Sequence, residues 1–334
     1  MTRFWRFSLI LFLPLFTLIA CDPMAPQPTP FPVIVTSNAT ATPTPTTTLT
    51  PRPSNTPSAT PTENILPTAT IPPCINDGGE LVEISQFRSP TAGGENLRYN
   101  VYIPPCYAES QKRFPYVILL HGLSYREQQW EDIGVIDALE QGIRLGVLPP
   151  MILVMPYFGS IGALNTFPPD SSYETVILDE LLPAVEAEFC TWNDREHRAF
   201  SGISRGAFWA FSIGFRHPDV FGILGGHSSV FPDDLREVPA AFNPLEIAEN
   251  SSLLPEANLR IYLDNGASDS AASSQRDISE RLRARSIAHT YIINPVGDHS
   301  NEYWSAHVSE YLEFYGRNWA RSLGELPDCA EPSP

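Results

Sequence analysis

Alternating and continuous apolar runs predict a series of β-strands that begins near residue 80. Apolar and polar side chains alternate over residues 97–103, which is typical of a strand with one buried face, and residues 81–87 are its predicted partner. Two shorter runs, at residues 116–120 and 151–155, are apolar throughout, as expected for parallel strands covered on both faces. Further strands are predicted at residues 199–200, 222–224, 259–263 and 290–293.

Helical periodicity separates these strands. Apolar side chains in residues 174–190 recur at the spacing of one helical face. Residues 206–215 are apolar nearly all round, which predicts a buried helix that ends before Pro218, and residues 279–287 and 305–319 are amphipathic. An antiparallel pair followed by strand–helix repeats predicts an α/β fold, with a mostly parallel central sheet of about eight strands and helices on both faces.

Proline and threonine divide the chain into a tether and a folded part. Residues 22–73 hold 14 of the 34 prolines, 14 threonines and only three charged side chains. A segment of this composition buries too little apolar surface to offset the entropy that it would lose on ordering. We therefore predict a disordered tether at residues 21–73 and one folded domain at residues 74–329.

The charge balance excludes some partners. The chain has 21 Lys and Arg against 38 Asp and Glu, a formal net charge of −17. A surface this acidic repels phosphate backbones and anionic lipid headgroups. We expect no nucleic-acid partner, and any membrane attachment must come from an anchor.

The N-terminus predicts export and lipid attachment. Arg3 and Arg6 precede an apolar run at residues 7–20, which has the length of a signal-peptide core and is shorter than a membrane span. The run ends in Leu-Ile-Ala-Cys at residues 18–21, which resembles the bacterial lipobox. That resemblance implies a signal peptide at residues 1–20 and a lipid on Cys21, which would hold an exported protein at the cell surface or periplasmic face. The alternative is an ordinary signal peptide that contains a cysteine.

Four cysteines remain once Cys21 is assigned to lipid. They are Cys74, Cys106, Cys190 and Cys329. An even number in an exported domain predicts two disulfides, with three possible connectivities. A bond between Cys74 and Cys329 would tie the two ends of the folded region together.

Ser204 is the candidate nucleophile. It lies in Gly202-Ile203-Ser204-Arg205-Gly206, between a predicted strand and the buried helix. A Gly-x-Ser-x-Gly pattern at a strand-to-helix turn predicts a nucleophile elbow, where the flanking glycines avoid steric clashes. The alternative is a glycine-rich turn with a capping serine.

His299 is the candidate base that Ser204 needs. It follows the last predicted strand on a loop at the strand's carboxyl end, where open α/β sheets place their sites. We expect His217 and His307, on helices, to be structural, and we expect His121 to orient its loop.

Two carboxylates are candidates for the acid that orients the base. Asp264 and Asp269 both follow the strand at residues 259–263 and lie between Ser204 and His299 in the Ser, Asp, His order of α/β-hydrolases. We assign Asp269 to the triad and keep Asp264 as the alternative.

An oxyanion hole is expected from two backbone N–H groups, those of Leu123 and Arg205. The Arg205 side chain itself is expected to form a salt link. The tentative walls of the substrate pocket are Trp130, Tyr157, Phe158 and His227.

Residues 95–317 resemble the putative-esterase family of α/β-hydrolases, which includes S-formylglutathione hydrolases and feruloyl esterases. The resemblance is carried by VYIPP at residues 101–105, VILLHG at 117–122, FSGISRGA at 200–207 and Gly-Asp-His at 297–299. It implies the α/β-hydrolase fold and the triad of Ser204, Asp269 and His299. The chain departs from the family at Arg205, where many members have Met, Leu or Tyr. It also departs at Leu123-Ser124, where a glycine-rich stretch is commoner.

The implied fold also suggests a cysteine pairing. It places Cys106 and Cys190 on the face of the sheet opposite the site, which predicts the disulfides Cys106–Cys190 and Cys74–Cys329.

The expected function is that of a lipid-anchored, monomeric serine esterase that works through an acyl-enzyme. The substrate would be an ester of a small molecule or of a polysaccharide, and no cofactor or metal is expected. An acyltransferase of the same fold and a non-catalytic surface binding module are the alternatives.

Overall fold

Nine strands form one sheet in the computed structural model, which describes residues 33–36, 72–232 and 235–329. The predicted signal peptide, Cys21 and most of the predicted tether lie outside these ranges. The strands are β1 (Val33–Thr36), β2 (Glu80–Ser89), β3 (Glu95–Ile103), β4 (Tyr116–Leu120), β5 (Ile152–Pro156), β6 (Arg198–Ile203), β7 (Ile223–His227), β8 (Arg260–Gly266) and β9 (Thr290–Asn294).

The sheet is mostly parallel, as the sequence predicts. Its order is β1-β9-β8-β7-β6-β4-β5-β3-β2. The strands from β9 to β5 in this order pair in parallel, whereas β3 pairs antiparallel with β5 and with β2. The carboxyl ends of the parallel strands therefore meet at one edge, and the predicted fold class is confirmed.

Strand β1 lies within the range predicted to be a disordered tether. Val33–Thr36 pairs antiparallel with β9, the edge of the parallel part of the sheet. The prediction differs here because these four residues form a run of β-branched side chains, and an edge strand offers unpaired backbone groups. The strand raises the count from about eight to nine.

Helices cover both faces of the sheet. They are α1 (Tyr107–Ser110), α2 (Gln129–Asp132), α3 (Val135–Arg144), α4 (Tyr173–Thr175), a π-helical segment (Val176–Leu181), α5 (Leu182–Glu188), α6 (Arg205–Gly214), α7 (Pro244–Asn250), α8 (Ala272–Ala284) and α9 (Asn301–Gly316). The helix expected at residues 174–190 is thus the continuous run from α4 to α5, and α3 was not predicted. Of the helices in the described ranges, none is long and apolar enough to cross a membrane.

Two apolar clusters fill the space between the sheet and its helices. One contains Phe208 and Trp209 of α6 together with Ile278 of α8. The other contains Leu139 of α3 and Leu312 of α9. The sheet is therefore buried on both faces, which explains why β4 and β5 are apolar along their whole length.

The two disulfides differ from the predicted pairing. Cys74 bonds to Cys106, with Cα atoms 5.2 Å apart, and Cys190 bonds to Cys329, with Cα atoms 5.6 Å apart. The predicted bonds Cys106–Cys190 and Cys74–Cys329 are wrong because the β2–β3 register pairs Glu80 with Ile103. That register brings Cys74 and Cys106 to the same end of the hairpin.

The second disulfide follows from the course of the C-terminal segment. The backbone N–H of Cys329 donates to Gln111 O at 2.8 Å, and the N–H of Phe114 donates to Cys190 O at 2.9 Å. The stretch from Gln111 to Phe114 therefore lies between the two cysteines and brings them together.

Candidate active site

Ser204 stands at a strained turn between β6 and α6. Its backbone angles are φ 53° and ψ −111°, in a region that L-residues seldom adopt. Such conformations cost about 1–3 kcal/mol and persist only where the surroundings hold them. Here the Ser204 N–H donates to His227 O at 2.9 Å, so the neighbouring strand β7 supports the turn.

The two glycines of the Gly-x-Ser-x-Gly pattern are required by close backbone approach. A Cβ added to Gly202 would lie 2.3 Å from the carbonyl carbon of Gly206. A Cβ added to Gly206 would lie 2.5 Å from Leu120 O, at the end of β4. Both distances are far inside van der Waals contact, so the sequence pattern and the elbow have the same physical origin.

His299 and Asp269 form the hydrogen-bonded pair that a serine nucleophile needs. His299 Nδ1 lies 2.9 Å from Asp269 Oδ1, and the His299 side chain is 28% exposed while that of Asp269 is buried. Burial alone would raise the pKa of Asp269, but the hydrogen bonds from His299 and from the Ala271 N–H lower that pKa overall. Asp269 is therefore a stable anion that can orient His299.

Asp264, the alternative acid, binds another histidine. Asp264 Oδ1 lies 2.6 Å from His227 Nδ1, and both side chains are fully buried. Of the two carboxylates left open by the sequence, Asp269 is the one that meets His299.

Gln129 joins the loops that carry the site. Its Oε1 accepts the Gly122 N–H at 2.7 Å, and its Nε2 donates to Asn301 Oδ1 at 2.9 Å, two residues beyond His299. A Cβ on Gly122 would lie 3.8 Å from the Ser204 Cβ, so the loop after β4 also touches the elbow. Sequence reasoning missed Gln129, because no motif marks it.

The loops that bear Ser204 and His299 thus lie at the carboxyl ends of the parallel strands. Within the described part of the chain, no hydrogen bond joins the Ser204 hydroxyl to the His299 ring. In free enzymes the hydrogen bond between nucleophile and base is often long or poorly aligned, and it tightens when substrate binds.

His121 fixes the peptide that would form half of an oxyanion hole. Its Nε2 accepts the Phe158 N–H at 3.3 Å, so the ring proton is on Nδ1, which donates to Gly122 O at 2.7 Å. Burial lowers the pKa of His121 to about 4, which keeps the ring neutral. The Gly122 carbonyl shares its peptide unit with the Leu123 N–H, so His121 fixes the direction of that donor.

Arg205 holds a loop and does not form the expected salt link. Its guanidinium donates to Gly162 O at 3.0 Å, to Asn165 Oδ1 at 2.8 Å and to Leu164 O at 2.6 Å. It also lies 4.9 Å from the Trp209 ring, and burial lowers the pKa of Arg205 to about 10. The prediction is wrong because neutral acceptors of the loop after β5, and not a carboxylate, surround this cation.

Three of the four tentative pocket residues are buried. Trp130, Phe158 and His227 expose 2% or less of their surface, so they do not line an open pocket in this structure. Trp130 Nε1 instead donates to Leu120 O at 3.1 Å. Tyr157 is half-buried, with the Arg126 guanidinium 5.4 Å from its ring, and it remains a candidate wall.

Comparison with known proteins gives one family match that covers most of the described chain. The sequence model of the family described as "Putative esterase" matches residues 90–315.

Two curated relatives match over shorter segments. The endo-1,4-beta-xylanase/feruloyl esterase of Xylanibacter ruminicola is 32% identical over 179 residues, which are 48% of this chain and 23% of that protein. An esterase of Mycobacterium tuberculosis is 32% identical over 151 residues, which are 44% of this chain and 31% of that protein. The chain thus spans about a quarter to a third of the length of these relatives.

Solved structures show the same fold. A ferulic acid esterase superposes with a TM-score of 0.65 at 23% identity, over 73% of this chain and 99% of the other. An S-formylglutathione hydrolase of Staphylococcus aureus superposes with a TM-score of 0.59 at 19% identity, over 71% and 99%.

Proposed function

The chain belongs to the "Putative esterase" family, and from this premise we propose that it is a serine esterase that hydrolyses carboxylic esters. One observation carries the proposal. Ser204 occupies a strained elbow at the edge of the sheet where His299 is held by Asp269 at 2.9 Å. This combination of nucleophile, base and orienting acid is the arrangement that serine acyl transfer requires.

The first half of the reaction acylates the enzyme. The Ser204 hydroxyl attacks the ester carbonyl carbon while His299 Nε2 takes its proton. Negative charge develops on the carbonyl oxygen, where the N–H groups of Leu123 and Arg205 stabilise it. Arg205 is the first residue of α6, so its N–H has no acceptor within the helix. The protonated His299 then donates to the departing alcohol, and Asp269 stabilises the imidazolium throughout.

The second half releases the acid. Water donates a proton to His299 and attacks the acyl carbon, a second oxyanion forms, and the Ser204 oxygen leaves with the proton from His299. The products are a carboxylic acid and the alcohol released earlier, so the residues of the site return to their starting state.

We propose a hydroxycinnamoyl ester attached to a polysaccharide as the substrate. The names of the Xylanibacter relative and of the superposed ferulic acid esterase support this class. Exposed apolar side chains on three of the loops at the site edge also support it, because an aromatic acyl group would cover them. They are Leu123, Leu164 and Val296.

A substrate panel tests the activity. The purified full chain should hydrolyse p-nitrophenyl acetate and methyl ferulate, and it should release ferulate from feruloylated arabinoxylan oligosaccharides. Ser204→Ala should abolish turnover, whereas Ser309→Ala, on the exposed face of α9, should leave it unchanged. Turnover retained in Ser204→Ala would refute the mechanism, and hydrolysis of S-formylglutathione alone would refute the substrate class.

We also propose that the protein is exported and anchored by a lipid on Cys21. The support is the sequence of residues 1–21, which lie outside the described part of the chain. Metabolic labelling with an alkyne fatty acid should mark the wild type but not Cys21→Ser, and equal labelling of both would refute the anchor.

A further inference from the structure

A second set of serine, histidine and aspartate lies beneath the active site. Ser201, His227 and Asp264 belong to the neighbouring parallel strands β6, β7 and β8. His227 Nδ1 is 2.6 Å from Asp264 Oδ1, and His227 Nε2 is 3.1 Å from Ser201 Oγ. All three residues are fully buried, so the Ser201 hydroxyl does not meet substrate and this set is not a second catalytic centre.

Three tyrosines of α9 complete the set. The hydroxyls of Tyr303 and Tyr311 donate to Asp264 Oδ2 at 2.6 and 2.8 Å. The Tyr315 hydroxyl lies 2.6 Å from His227 Nε2. Burial, and then the charge of Asp264, raise the pKa of Tyr303 and Tyr311, so both remain protonated donors. We call these six residues the buried cluster: Ser201, His227, Asp264, Tyr303, Tyr311 and Tyr315.

The backbone of the buried cluster supports the nucleophile. The carbonyl of His227 accepts the Ser204 N–H, and the next residue, Ser228, has a left-handed backbone with φ 52°. The Ser228 N–H donates to Asp264 O at 2.9 Å. Two consecutive features that need external support, the elbow and the left-handed turn, are thus held by residues of the buried cluster.

Ser228 extends this support to the base. Its Oγ accepts the Trp304 Nε1–H at 2.9 Å, and the Trp304 ring packs edge-on against His299 at 5.2 Å between centroids. The backbone at residues 227–228 is therefore bonded to the Ser204 amide and is connected to the His299 ring through Trp304.

Tyr303 makes an independent connection to the loop before His299. Its hydroxyl accepts the Asn294 Nδ2–H at 2.9 Å, at the end of β9. Its ring fills the space beside Gly297, where an added Cβ would lie 2.2 Å from Tyr303 Cδ2. Movement of Tyr303 would therefore move the loop that carries His299.

We propose that His227 and Asp264 are positioning residues for the reaction at Ser204. Neither touches substrate. The side-chain bond between them fixes the 227–228 backbone, which in turn holds the Ser204 amide and the Trp304 ring that packs against His299. The inference rests on the proposed esterase function and adds that chemistry depends on a hydrogen-bonded network one layer below the triad.

The test compares two buried histidines. His227→Gln removes the imidazole from the buried cluster. His289→Gln is the matched control, because His289 is also buried and bonded to a serine, with Ser279 Oγ 2.8 Å from its Nε2, but makes no contact with the triad. Both variants of the full chain are compared for melting temperature, kcat and KM per titrated active site, and rate of labelling by a fluorophosphonate.

A positioning role predicts a kinetic loss that destabilisation alone does not produce. His227→Gln should lower kcat and the labelling rate by about 10- to 100-fold with KM within about threefold, since displacements near 1 Å have effects of this size. His289→Gln should lose stability but keep its kcat. A folded His227→Gln protein that is labelled at the wild-type rate would overturn the inference.

Tyr303→Phe provides a second variant if His227→Gln does not fold. It removes one hydroxyl shared by Asp264 and Asn294 and keeps the ring. It should lower the labelling rate by roughly threefold to tenfold, and an unchanged rate would overturn the inference. A wild-type protein that is neither labelled nor active would refute the esterase proposal itself, which is a different outcome.

Discussion

Acidification should destabilise the domain through His121. This ring is buried, it accepts a hydrogen bond at Nε2, and its pKa is lowered by burial from 6.5 to about 4. Between these two values the unfolded chain binds a proton that the folded chain does not, so the free energy of unfolding falls as the pH falls. At 1.36 kcal/mol per pKa unit, the full effect is about 3 kcal/mol.

Other groups act in or near the same pH range and must be subtracted. Burial also lowers the pKa of His289, which adds to the effect of His121. Burial would lower the pKa of His307 as well, but Glu310 raises it overall, so His307 stabilises the fold at acid pH and opposes the effect. Asp269, with its pKa lowered, contributes stability that is lost only below about pH 4.

Urea unfolding of the wild type and of His121→Asn isolates the effect. The variant lacks the titrating ring, so the difference in unfolding free energy between the two proteins should shrink by about 3 kcal/mol as the pH falls from 7.5 to 4. The other histidines are common to both proteins and cancel. A difference that stays constant within about 0.5 kcal/mol over this range would refute the reasoning.

Three further outcomes are expected. Gly206→Ala should lower the melting temperature and abolish activity, because the added Cβ would lie 2.5 Å from Leu120 O. Gly324→Ala, where the nearest atom to the added Cβ is 3.7 Å away, should change neither. Equal melting temperatures of the two variants would contradict the close approach at Gly206. Asp269→Asn should lower kcat by about 10⁴ with the fold intact, measured on p-nitrophenyl acetate, and a loss below tenfold would argue against its role. Arg205→Met should raise KM for ester substrates and speed proteolysis of the loop at residues 162–165, because three hydrogen bonds to that loop are lost. An unchanged KM and an unchanged rate of cleavage would show that Arg205 is not needed to order the loop.

The nucleophile was readable from the sequence because its constraints are local. The backbone approaches Gly202 and Gly206 too closely for any other residue, so the Gly-x-Ser-x-Gly pattern around Ser204 is a direct consequence of the turn. The choice between Asp264 and Asp269 was not readable to the same degree. Both follow the predicted strand at residues 259–263, but in the structure Asp264 lies within β8 and Asp269 lies in the loop after it, where it meets His299.

The missed features depend on contacts between distant segments. Gln129 binds Gly122, in the loop after β4, and Asn301, at the start of α9. Gly122 and Asn301 are far apart in the sequence and come together only in the folded sheet. Trp130 follows Gln129 directly in α2 and is buried in the core, where its Nε1 donates to Leu120 O. The two disulfides depend on the β2–β3 register and on the course of the C-terminal segment, and a cysteine count contains neither.

The bond between Cys74 and Cys106 also determines how the domain bears mechanical load. Among the described strands, β2 lies at the edge of the sheet and pairs with β3. A pull applied to the chain between β1 and Pro72 would otherwise separate β2 from β3 one backbone pair at a time, starting at Glu80. The disulfide closes β2 and β3 into a covalent loop and passes the pull to the chain after Cys106. The force then reaches β4, an interior strand with a parallel neighbour on each side, and bypasses the β2–β3 backbone pairs.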